Sequence, residues 1–96
     1  MVASHELEVA LYRSSLRRRL PVPEVRRHVR EAAKATQAEV AHAVGVTQTA
    51  VCHWETGRRE PSGETLEMYF AVLQRLARAA GLNVIEDEVA LDGVQT

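Results

Sequence analysis

Apolar residues recur along this chain at helical spacing, in blocks separated by glycine, proline or a threonine–glutamine pair. Val25, Val29, Ala32 and Ala33 fall at i, i+4, i+7 and i+8 and give one apolar face to a helix over residues 23–35. Leu66, Tyr69, Phe70, Leu73, Leu76, Ala77 and Ala80 do the same for a longer helix over 64–80, opened by Ser62 or Gly63 and stopped near Gly81. Between them lie two short helices, 37–44 and 48–56, with Val40, Ala41, Val44, Val46, Val51 and Trp54 pointing inward. A Thr-Gln pair opens each one. Thr36 and Thr47 are placed to cap, and Gly57 closes the second. Ahead of all four, residues 4–20 read as a helix capped by Ser4, with Glu6 and Glu8 in its first turn and Arg17, Arg18 and Arg19 in its last. That charge order suits the macrodipole. Leu7 and Leu11 form one stripe on it and Val9, Tyr12 and Leu16 another, so it packs on something. Pro21 and Pro23 then stop it and start the next.

The pattern predicts an all-α chain of five helices, with residues 1–22 as an N-terminal helix and linker. Residues 23–80 form the main domain, and 81–96 an acidic C-terminal segment. Within that segment, 82–86 and 88–91 are either one or two short strands or a tail. A lone strand is stable only when paired, so order there implies a second chain. Gly45 sits where the two short helices must turn with φ above zero, and Ala41 is small where they cross. Two short helices hinged in this way are the pattern of a helix-turn-helix, whose second helix enters the DNA major groove.

Composition changes the picture only through its distribution. The 96 residues carry a formal charge of −1, which by itself argues against nucleic acid. Residues 1–60, however, hold ten Arg and Lys against seven Glu, while residues 61–96 hold Arg75 and Arg78 against six acidic residues. A basic front with an acidic back fits a DNA-facing front. The one cysteine, Cys52, excludes an internal disulfide and a cysteine-rich zinc site. No apolar run approaches membrane-spanning length and the first twenty residues are too charged for a secretory signal, so the expected location is the cytoplasm.

Thr36-Gln37-Ala38-Glu39-Val40-Ala41, Gly45-Val46-Thr47-Gln48, Val51, and Trp54 through Pro61 together resemble the DNA-binding domain of the Xre/Cro-type helix-turn-helix regulators, the family of the lambdoid phage repressors. The likeness covers about residues 24–73. It implies a lambda-repressor-like five-helix bundle in which 37–44 and 48–56 form the motif. The N-terminal helix is extra to the family pattern, and a C-terminal dimerising strand is loosely like that of antitoxin members. The resemblance also places a base-reading glutamine at Gln48 and a phosphate-binding one at Gln37. It further implies an ion pair between Arg30, seven residues before Gln37, and Glu55 at the end of the second motif helix.

The chemistry of the side chains agrees. Gln48 offers both a donor and an acceptor and can pair with adenine N6 and N7 in the major groove. Thr49, Cys52 and His53 share its outward face. Thr49 can meet a phosphate or a thymine methyl, His53 can donate to guanine, and Cys52 serves as a small spacer there. Thr36, Gln37, Thr47, Arg58 and Arg59 are the candidate phosphate contacts, the first two because exposed N–H groups at a helix start favour an anion. Arg17, Arg18 and Arg19 serve equally as a helix end or as further phosphate contacts. Trp54 belongs to the core. His5, His28, His42 and His53 have no metal-ligand spacing, and no catalytic triad, phosphate loop or paired carboxylates occur, so neither an enzyme nor a cofactor is expected. The sequence therefore points to a phage or bacterial DNA-binding repressor acting as a homodimer through residues 64–96. The alternatives are an antitoxin that represses its own operon and binds a toxin, and a protein-interaction module on the same fold.

Overall fold

The computed structural model describes residues 2–83 and 85 of the chain. Five helices follow one another: α1 (Val2–Arg19), α2 (Pro23–Ala32), α3 (Gln37–Val44), α4 (Gln48–Thr56) and α5 (Gly63–Ala79). No strand occurs among the described residues. The long α5 is the spine. It packs against α1, α2 and α3, while α4 lies on α3 and α2.

Two apolar clusters hold the helices together. The larger joins Val29 of α2, Val40, Ala41 and Val44 of α3, Val51 and Trp54 of α4, and Tyr69, Leu73 and Ala77 of α5. Trp54 and Tyr69 meet with ring centroids 4.6 Å apart and planes tilted by 45°, a geometry that aromatic quadrupoles favour. The smaller cluster is Leu16 of α1 against Leu66 and Phe70 of α5. Val46 is half-buried at the edge of the larger one.

The short helices start and stop by local chemistry. Thr36 Oγ1 accepts from the Glu39 N–H at 3.0 Å, and the Glu39 carboxylate accepts in return from the Thr36 N–H at 2.8 Å. This capping box satisfies two otherwise orphaned donors. Gly45 ends α3 at φ 87° with its N–H on the Ala41 carbonyl, a conformation that costs glycine nothing. Thr47 then caps α4 by accepting from the Ala50 N–H at 3.1 Å.

Two of the expected helix ends differ. α1 begins at Val2, so Ser4 lies inside it rather than capping it, and Glu6 and Glu8 lie beyond the first turn. α2 stops at Ala32 rather than running to residue 35, because Lys34 takes φ 63°. Ala35 N–H reaches back to the Arg30 carbonyl and Lys34 N–H to the Glu31 carbonyl, at 3.1 and 3.0 Å. This is the Schellman closure with lysine where glycine is usual. α5 opens as expected, with Ser62 at its N-cap, although the Ser62 side chain makes no cap bond. Beyond α5, Leu82 N–H bonds the Ala77 carbonyl at 2.8 Å. Leu82 and Ile85 rest against the core without strand geometry. The rest of the two strand segments expected at 82–86 and 88–91 lies outside the described residues.

The two apolar stripes expected to pack α1 are mostly unused. Leu16 is buried, but Leu7 and Leu11 are each 59% exposed and Tyr12 45%. The stripes lie on opposite sides of the helix, and α5 covers only the C-terminal end of one.

Candidate nucleic-acid interface

The fold divides α4 into two faces. Val51, Trp54 and Glu55 are buried. Gln48 and Thr49 are exposed, and Cys52 and His53 half-buried, on the opposite side. Cys52 contributes its carbonyl as well, accepting from Thr56 Oγ1 at 3.0 Å. Thr47, Thr49, His53 and Arg59 line one open groove of about 470 Å³ between α4 and the start of α5, with Trp54 at its base. Gln48 and Cys52 sit along the rest of the exposed face, outside the groove.

The buried face is held by charge. Arg30 Nε donates to Glu55 Oε2 at 2.7 Å and Arg30 Nη2 to Glu55 Oε1 at 2.9 Å, while Nη1 bonds the Ala35 carbonyl at 2.9 Å. The Glu55 side chain is only 2% exposed. Two parallel bonds to a guanidinium are among the stronger neutralised contacts available to a carboxylate. The hydrogen bond to Glu55 raises the Arg30 pKa further, against the opposing effect of burial. Gln37 joins the pair by donating from Nε2 to Glu55 Oε1 at 3.0 Å, which ties the start of α3 to the end of α4. Its second amide hydrogen remains for an outside acceptor.

The two threonine caps differ in what they leave over. A hydroxyl has one proton to give. Thr36 directs its own at Glu39 Oε1, 3.2 Å away, whereas Thr47 uses only its acceptor capacity. Arg58 and Arg59 are exposed beyond Gly57, and both backbone N–H groups bond the His53 carbonyl, at 3.0 and 3.3 Å. Among the described residues no carboxylate pairs with either side chain.

The residue that sequence reasoning missed is Arg26. It is 4% exposed. Its Nε donates to the Pro21 carbonyl at 2.6 Å, Nη1 to the Trp54 carbonyl at 2.9 Å and Nη2 to Glu60 Oε1 at 2.8 Å. One guanidinium thereby clasps the α1–α2 linker, the last turn of α4 and the basic loop after it. Its spacing was the available signal, since Arg26 stands one turn before Arg30 and so shares its face. Arg19 is similarly drawn in from the basic run, its guanidinium stacked 4.9 Å over the Phe70 ring.

A family model described as Helix-turn-helix matches residues 27–75, just over half of the chain, including all of α3 and α4. The chain belongs to the Xre-type helix-turn-helix family. Comparison with curated proteins and with solved structures gives no match. The family is one of DNA-binding regulators and is not enzymatic. Among the described residues, none of the helices of this family member is long and apolar enough to cross a membrane.

Proposed function

We propose that the protein is a sequence-specific transcriptional repressor that binds an inverted-repeat operator as a homodimer. The observation that carries this is the division of α4. Its inner face is locked by Glu55, Arg30 and Gln37, while Gln48, Thr49, Cys52 and His53 are left outward beside Arg58 and Arg59. A helix so fixed can present side chains to base edges in the major groove without rearrangement. Gln48 and His53 read bases, with Thr49 and Cys52 against neighbouring edges. Thr47, Arg58, Arg59 and the second amide hydrogen of Gln37 hold phosphates and set the register. Thr36 contributes mainly through the cap, since its hydroxyl proton is already given to Glu39.

One such helix covers too few base pairs for specificity, so two copies bind half-sites about one turn, roughly 34 Å, apart. Selecting bound sites from random duplex DNA tests the reading as a whole. A palindromic consensus is the expected result. Absence of binding even at low salt, where phosphate contacts are strongest, would instead identify a module that binds protein.

A further inference from the structure

Among the described residues, nothing covers the first half of α1. Of residues 4–12, only Val9 is partly buried, and Leu7, Leu11 and Tyr12 are among the most exposed large apolar side chains. A helical stretch of this length is marginal in water without tertiary contacts. The second half is anchored: Leu16 enters the smaller core cluster and Arg13 Nε pairs with Glu67 Oε2 of α5 at 2.6 Å. The first half therefore continues past the anchored part with its apolar side chains uncovered among the described residues. α1 lies on α5, while α4 lies on α2 and α3.

Its charges identify the occupant. At 3.6 residues per turn, Leu7, Leu11, Ser14 and Arg18 form one side of α1, opposite Leu16. Glu6 and Arg17, both exposed, fall together on one flank of that side. Eleven positions separate them, about 16 Å along the axis, so they cannot pair within one helix. In an antiparallel helix pair, equivalent flanks face each other. Glu6 then meets Arg17 of the second copy, Arg17 meets its Glu6, and Leu11 sits beside its symmetry mate. In a parallel pair this flank would face the partner's other flank, and Glu6 and Arg17 would not meet.

We infer that two copies of this chain associate through antiparallel contact of their α1 helices. This rests on the homodimer part of the proposed function and supplies its geometry: α1 is fixed to α5, so the pairing sets the spacing of the two α4 helices. The apolar area is small beside the roughly 800 Å² per partner of a standard stable interface. The contact is thus a weak dimer, reinforced when neighbouring half-sites hold two copies at high effective concentration.

Sedimentation equilibrium of the full chain without DNA, with helix content followed by circular dichroism, tests this. The wild type should show a monomer–dimer equilibrium, which Leu11→Glu abolishes. Glu6→Arg and Arg17→Glu should each weaken it about tenfold, as two symmetric contacts turn repulsive, and the double variant should restore it. The opposite order is diagnostic. Both substitutions oppose the helix dipole, so a double variant weaker than either single one would mean that the charges matter only to the helix, and would overturn the pairing. A wild type that stays monomeric, or a dimer indifferent to Leu11→Glu, would overturn it too. Binding to a single half-site is measured separately. Its failure in the wild type would reject the DNA reading and leave the sedimentation result standing.

Discussion

Tyr69 carries its hydroxyl into the core, where the oxygen has no hydrogen-bond partner among the described residues. Burial, and then the nearby Glu55 charge, pushes its pKa well above the usual tyrosine range, against the opposing charges of Arg26 and Arg30. The folded state therefore keeps the proton that the unfolded chain releases above about pH 10. Stability is unaffected below that pH and falls as pH rises through it. Tyr69→Phe keeps the ring against Trp54 and removes the unpaired group. It should raise unfolding free energy in urea by about 1 kcal/mol, and reduce the alkaline loss. A destabilised variant would mean that the hydroxyl has a partner, such as a buried water. On the opposite side of α4, Gln48→Ala should lose roughly 1–3 kcal/mol of discrimination at one base pair while non-specific binding survives. Competition with single-base operator variants measures this, and an unchanged preference would remove Gln48 from base reading.

Elements were legible wherever one residue type has one structural meaning. Thr36 and Thr47 before α3 and α4, and Gly45 and Gly57 after them, bound those helices as their chemistry suggests. The end of α2 was not legible, because lysine takes the left-handed position that a reader expects glycine to mark. Arg26 was missed for a similar reason. Its charge argues for solvent, and only the linker, the α4 carbonyl and the loop, brought together by folding, make a buried site that satisfies it. That clasp yields a prediction with a decisive sign. Glu60 is half exposed, so replacing it disturbs little of the core. Were it merely a carboxylate near DNA phosphates, Glu60→Ala would tighten binding by removing repulsion. Since it holds the Arg58–Arg59 loop through Arg26, the variant should weaken binding about fivefold in a fluorescence titration, from the cost of ordering freed side chains on the DNA. Tighter binding would show that the clasp does not position the loop.

At the level of the whole molecule, the bundle and its motif could be read because periodicity, capping and charge all agree across residues 23–80. The N-terminal helix could be recognised as a helix, but its two apolar stripes could not be assigned partners. Periodicity reports that a face is apolar, not whether this chain or another covers it. The charge asymmetry also changes character in three dimensions. Arg13, Arg26, Arg27 and Arg30 are held by carboxylates within the fold, so four of the ten basic residues in the first sixty are structural. What faces outward near α4 is Arg58 and Arg59, a small and local field suited to holding register rather than to drawing DNA from a distance. Trp54 adds something of a different kind. It is the only tryptophan, buried behind the exposed face of α4, in contact with Tyr69 and at the base of the groove. Its intrinsic fluorescence is thus an optical probe of one location, reporting how firmly the DNA-reading helix is seated without any label being attached.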